Sequence, residues 1–257
     1  MNSPSSKATG LLWVLAAALI AAGAALALPH AARRLPWSVE RWLGRVVDAA
    51  TPGRLCHGAP PGGADQALDL LVRRIYPLVP GDERVTITVE VMHGDVVNAF
   101  ATLGGHIFVL DGLLRQARSP EELAGVLAHE IEHVRSRHII QGVGVNLLTL
   151  IAVQAAFPQG GQIDPRIAHQ FLTLHFSRQA EAEADELGLQ RLRAALVDAG
   201  AFAQFFARAG SLPAPPPFLS NHPSNASRAE MAARFAGYAA RPVLDDGQWK
   251  ALVNICR

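Results

Sequence analysis

The chain has 257 residues, 50% of them hydrophobic, a formal net charge of +1 and 2 cysteines. That is enough apolar material for one sizeable core in a domain of ordinary length. Near-neutral charge, no long basic tract and no phosphate-cradling glycine loop after a strand leave nucleic acid unsupported as a partner, and there is no internal repeat.

Residues 11–28 form an uninterrupted apolar stretch of 18 residues rich in alanine and leucine. A bilayer span needs about 20 such residues and a signal-peptide core about 7–15, so the stretch reads as an uncleaved anchor, with cleavage after Ala25-Leu26-Ala27 as the alternative. Charge does not decide the orientation: Lys7 and the amino terminus precede the stretch, while Arg33, Arg34, Arg41 and Arg45 follow it and would favour a cytoplasmic downstream side. Residues 29–65 read as a linker with a short helix, and a catalytic domain is expected over 66–257.

The runs 85–91, 98–102 and 106–110 read as short strands. Val85, Ile87, Val89 and Val91 alternate with polar neighbours, as a half-buried sheet requires. Ser119-Pro120-Glu121-Glu122 then supplies an N-cap hydroxyl, a first-turn proline and a glutamate three residues on, a capping-box signature. Leu123, Val126, Leu127, Ile131 and Val134 follow at helical spacing and give the helix a buried stripe.

That helix carries His129-Glu130-Ile131-Glu132-His133. Residues four apart share a helix face, so His129 and His133 can bind one ion with Glu130 beside it. A catalytic zinc takes three protein ligands and leaves a fourth position to water. His138 follows His129 by nine residues, half a turn out of phase on a continuous helix, and reads as a helix-end residue. The metzincin pattern fails, because Ser136 and Ile139 stand where glycine and histidine are required.

A second apolar run, 143–157, holds Asn146 and Gln154 and suits a core helix or a dip into a membrane face; 159–165 reads as a loop able to cover a cleft. In the polar helical stretch from Ser177 to Asp185, Glu181 and Asp185 share a face that Ala184 and Gly188 continue with small side chains. Helical phase therefore selects Glu181 over Glu183 as the third ligand. Asp185, one turn on, is placed to accept the second ring N–H of a ligand histidine. A loop at 213–217, a helix over 225–240 and a short closing helix over 245–255 complete the chain. Cys56 and Cys256 stand where a disulfide would clip the two ends of the domain together, a bond that persists only in an oxidising compartment; two free thiols are the alternative.

The ordered set of segments resembles the M48 zinc metallopeptidases, which include membrane-associated quality-control proteases and the prenyl-protein protease. The matching segments are Val97-Asn98-Ala99-Phe100-Ala101, Gly104-Gly105-His106-Ile107-Phe108-Val109, the zinc pentapeptide with Arg137-His138, the Ser177-Arg178 to Asp185 block, and Asn221-His222-Pro223-Ser224 with Arg228. Together they span roughly 66–240. The resemblance implies that Glu181 is the third zinc ligand, in agreement with helical phase. It also implies that His222 lies near the metal, as an oxyanion donor or as a gate, and Arg228 is expected to pair with Asp185 or another buried carboxylate. This sequence departs from the family at Glu132, where a small residue is common.

The expectation is an α+β, mainly helical zincin-type domain with a small sheet beside the metal helix and an N-terminal apolar anchor helix. One Zn2+ held by His129, His133 and Glu181, with Glu130 as general base, would hydrolyse peptide bonds of unfolded or extended chains. Such a chain would add as a strand at a sheet edge, lined by Asn98, Ala99 and Phe100. An inner membrane with a periplasmic catalytic domain is favoured over a secreted or cytoplasm-facing protein. The alternative function is a membrane-tethered chaperone or assembly factor with a zinc site and little proteolysis.

Overall fold

The computed structural model describes residues 31–50, 54–58, 63–77, 85–143, 169–171, 173–211, 218, 222, 228–235 and 237–257. The apolar stretch 11–28, the run 144–157 and the loops 159–165 and 213–217 lie outside the described residues. Among the described residues no helix is long and apolar enough to cross a membrane.

The fold is mainly helical with one small sheet. Helix α1 covers Trp37–Ala50 and α2 Gly63–Ile75; strands β1 (Thr88–Met92), β2 (Ala99–Ala101) and β3 (His106–Leu110) follow. Then come α3 (Asp111–Gln116), α4 (Pro120–Arg135), α5 (His138–Gly142), α6 (Arg178–Ala194), α7 (Ala199–Gly210), α8 (Arg228–Arg234) and α9 (Asp246–Val253). The closing helix matches expectation, with Asp245 and Gln248 forming a reciprocal capping box. Helix α8 is shorter than the expected 225–240, and residues 223–227 lie outside the described set.

The sheet order is β1-β3-β2, with β1 parallel to β3 and β2 antiparallel to it. The first strand begins at Thr88 rather than 85 because β3 begins at His106, the partner of Thr88, so 85–87 have no ladder to join. The outer edge of β1 is covered. Cys56 N–H donates to the Val91 carbonyl at 2.8 Å, His93 N–H to the Arg54 carbonyl at 3.0 Å, and Leu55 bridges Met92. Cys56 is in turn disulfide-bonded to Cys256, closing a separation of 200 residues. The two thiols are therefore paired, as their positions suggested.

Helix α4 runs through the centre. Leu123, Val126, Leu127, Ile131 and Val134 are all fully buried, each contributing about 1.5–3 kcal/mol of apolar burial. Its N-cap is half as expected. Ser119 Oγ accepts the Glu122 amide at 3.3 Å, but the Glu122 carboxylate accepts the Arg118 amide and pairs with Arg208 of α7 at 2.6 and 2.7 Å. The start signal held while tertiary structure redirected the return bond.

Candidate metal centre

Three elements converge on one buried cluster: α4 brings His129, Glu130 and His133, α6 brings Glu181 and Asp185, and the segment before α8 brings His222. The close approach of α6 to α4 depends on Gly188. A Cβ there would sit 3.3 Å from the His129 amide nitrogen and 3.4 Å from the Ala128 carbonyl carbon, tighter than side chains ordinarily pack.

His129 Nε2 and His133 Nε2 are 2.9 Å apart, and Glu181 lies 3.6 Å from the first through Oε2 and 3.4 Å from the second through Oε1. His222 Nδ1 is 3.1 Å from both His129 Nε2 and Glu181 Oε1. One ligand atom from each of these four residues lies within 4.8 Å of the others, and all four residues are buried. The chemistry of the donors fits a cation. Asp185 Oδ1 is 2.8 Å from His129 Nδ1 and accepts its proton, so His129 Nε2 turns a lone pair toward the cluster. Burial holds His133 well below the ordinary histidine range, so its imidazole is neutral. A positive ion satisfies these facing lone pairs, and two imidazoles with a carboxylate suit zinc.

The carboxylates are tuned in opposite directions. Burial alone would raise Glu181 and Asp185, but hydrogen bonds from His133 and His222 to Glu181, and from His129 with the Arg228 charge to Asp185, outweigh it and hold both below the usual range. Arg228 Nε bonds Asp185 Oδ2 at 2.5 Å, so the expected Arg228–Asp185 pair is present. Glu130 goes the other way: burial raises it, against the pull of His222 and His129. Both of its carboxylate oxygens are buried with no hydrogen-bond partner among the described residues, and His222 Nε2 lies 3.5 Å from Oε1. A carboxyl kept ready to exchange a proton has this environment.

Glu132 does not crowd the cluster. It turns to the opposite side of α4, where Arg191 of α6 grips it, with Nε at 2.6 Å, and Arg191 also donates to the Ile75 carbonyl at 3.0 Å. Helical phase explains this, since Glu132 is 200° round the helix from Glu130 at 100° per residue. The Glu132 side chain is only 3% exposed and that of Arg191 13%, so Glu132→Ala leaves a buried cation and should cost about 3–5 kcal/mol in urea unfolding. Replacing both residues with methionine should recover most of that stability.

Sequence reasoning missed His138. On a continuous helix it would face away, but α4 ends at Arg135, and Arg137 adopts a left-handed conformation (φ 62°) that turns the chain back. His138 Nδ1 thereby comes to 3.1 Å from His133 Nδ1, with the Glu183 carboxylate 3.5 Å from its other nitrogen. Glu183, rejected as a ligand, thus stands behind a positioning histidine. The signal available was the polar Ser136-Arg137 pair between two apolar stretches. His138→Ala should weaken zinc binding about tenfold in chelator competition, by releasing the ring of His133.

All three expected cleft residues, Asn98, Ala99 and Phe100, are buried, Phe100 packing its ring 5.4 Å from Phe108. Backbone bonds from Leu110 N–H to Asn98 O and from Thr102 N–H to His106 O place 98, 100 and 102 on the β3 side. The amides and carbonyls of Ala99 and Ala101 therefore face away from β3, on the edge of β2 that no described strand pairs with. The backbone of Ala101 lies close enough to Glu130 to oppose its raised pKa.

Comparison with known proteins agrees with this arrangement. The model of peptidase family M48 matches residues 79–235. The mitochondrial metalloendopeptidase OMA1 of Arabidopsis thaliana is 34% identical over 158 residues, covering 59% of this chain and 32% of the relative. A putative beta-barrel assembly-enhancing protease of Vibrio cholerae is 32% identical over 166 residues, 55% of this chain and 33% of its own length. The mitochondrial metalloendopeptidase OMA1 of Bos taurus is 31% identical over 171 residues, 59% and 33% respectively. The chain thus spans about a third of the length of these curated relatives.

Proposed function

The chain belongs to peptidase family M48, and we propose that it is a zinc-dependent endopeptidase acting on unfolded or misassembled polypeptides at a membrane. The observation that carries this reading is Glu130: a buried carboxyl with neither oxygen hydrogen-bonded among the described residues and His222 3.5 Å away, beside a cluster able to hold a metal ion. Zinc is the cofactor of the family. His129, His133 and Glu181 would hold it, and when bound it supplies a polarised water and a Lewis acid for the scissile carbonyl.

The residues divide the remaining work. Asp185 fixes the tautomer of His129, and Arg228 fixes Asp185. Glu130 takes a proton from water and returns it to the leaving nitrogen; its raised pKa lets it hold that proton in between. His222, whose pKa burial lowers but Glu130 and Glu181 raise on balance, is placed to donate a hydrogen bond to the developing oxyanion. The edge of β2 that no described strand pairs with receives the substrate backbone through Ala99 and Ala101, which favours extended chains over a fixed sequence.

Segment 1–28 as anchor or signal, 29–65 as connector and 66–257 as catalytic domain is the organisation that goes with this function. The Cys56–Cys256 disulfide supports an oxidising compartment, and a relative named for beta-barrel assembly is consistent with a periplasmic domain at the inner membrane.

A second reading, a tethered chaperone or assembly factor with little proteolysis, draws on His222. Its Nδ1 sits among the donors and would fill the fourth position, as in a structural zinc site. Incubation of the full chain with unfolded casein separates the two. Cleavage that stops with a chelator and returns with zinc is expected; intact casein with both the zinc-loaded chain and His222→Ala would favour the second reading.

A further inference from the structure

Helix α1 has two faces of opposite character. The inner face carries Leu43 and Val47, both buried, and Gly44, where a Cβ would lie 2.4 Å from the Leu103 carbonyl oxygen. Both acids of the helix belong to that side: Glu40 is buried 3.1 Å from Arg137, and Asp48 is half-buried 3.0 Å from His106. Arg137 also donates to the Leu35 carbonyl at 2.6 Å and stacks on Trp37 at 4.0 Å. Helix α1 is thereby fixed to the turn that follows the metal helix.

The outer face bears no acid. Val39 and Trp42, three residues apart, are 37% and 39% exposed, and both are among the few large apolar side chains left open to solvent among the described residues. Arg41 and Arg45, four apart, run beside them, and Arg34 precedes the helix; all three are exposed. An exposed aromatic and aliphatic stripe flanked by guanidinium groups is the pattern of a helix lying in the interface of an anionic bilayer, where indole sits at headgroup depth and arginine meets phosphate. Proximity supports the same occupant. Eight residues lie between the end of the apolar stretch at Leu28 and Trp37, a tether of at most about 30 Å.

We propose that the outer face of α1, through Val39, Trp42, Arg41 and Arg45, lies on the surface of a bilayer containing anionic phospholipid. The contact places the metal helix at a fixed height above the membrane through the Arg137 clamp, and it does not depend on whether the chain hydrolyses peptides. Electrostatic attraction holds the two arginines, and apolar burial holds Trp42.

Hydroxyl-radical footprinting of the full chain in nanodiscs tests this, with Trp42 and Val39 oxidation read by mass spectrometry. Trp42 should be oxidised about threefold less in discs holding one-third phosphatidylglycerol than in phosphatidylcholine alone, and about 0.5 M salt should remove most of the difference. Arg41→Glu with Arg45→Glu should abolish the protection while zinc content and thermal melting stay unchanged. Equal oxidation in the two kinds of disc would overturn the proposal. So would protection that survives the double charge reversal, because it would show a different occupant, such as a protein, on this face.

Discussion

Glu130→Gln should leave a protein that folds, melts and binds zinc like the parent but cuts unfolded casein about 100- to 10,000-fold more slowly, with the loss in kcat rather than KM. Glutamine keeps the shape of the side chain and removes only its ability to take a proton. Glu130 is fully buried, and glutamine fills the same space within α4. Burial raises its pKa, which means that the neutral side chain is no harder to accommodate than the native one. Parallel measurement of zinc content and casein cleavage is decisive. If Glu130→Gln cleaves at the parental rate, the proton is moved by another group, and His222, 3.5 Å away, becomes the first candidate.

Glu181→Ala should have the largest effect on the metal itself. Glu181 approaches both ligand imidazoles and is held ionised by His133 and His222, so alanine removes the negative charge that balances the cation. Asp185→Asn is the internal reference. It disturbs the hydrogen bond to His129 without touching the cluster, and loss of such an outer partner costs about 10- to 100-fold in affinity. Chelator competition should therefore show a loss for Glu181→Ala greater than that for Asp185→Asn. Equal affinities for Glu181→Ala and the parent would remove Glu181 from the ligand set and leave His222 as the third donor.

The helix that carries the site was legible because its signals are local. The Ser119 cap, the apolar stripe and the four-residue spacing of the histidines all lie within one short segment, and each is found where the spacing put it. The pairing of Glu181 with that helix was also readable, from phase and from the small residues Ala184 and Gly188 that let two helices approach. What escaped was decided by tertiary structure. His138 depends on one left-handed residue, Arg137, which periodicity assumes to be helical. The burial of Glu132 depends on Arg191, 59 residues away, with no pattern linking them. The choice of Ala99 and Ala101 over Asn98 and Phe100 as edge groups depends on hydrogen-bond register, which a strand's composition does not reveal.

X-ray absorption at the zinc edge of the purified full chain gives the most direct view of the proposed centre. Two imidazoles and oxygen donors at about 2.0–2.2 Å, with one zinc per chain and no sulfur, should be seen. The signal should fall with Glu181→Ala and persist with Glu130→Gln. A sulfur shell near about 2.3 Å, which would require the Cys56–Cys256 disulfide to be reduced and its thiolates to take the ion, or the absence of zinc from a folded chain, would contradict the assignment of His129, His133 and Glu181.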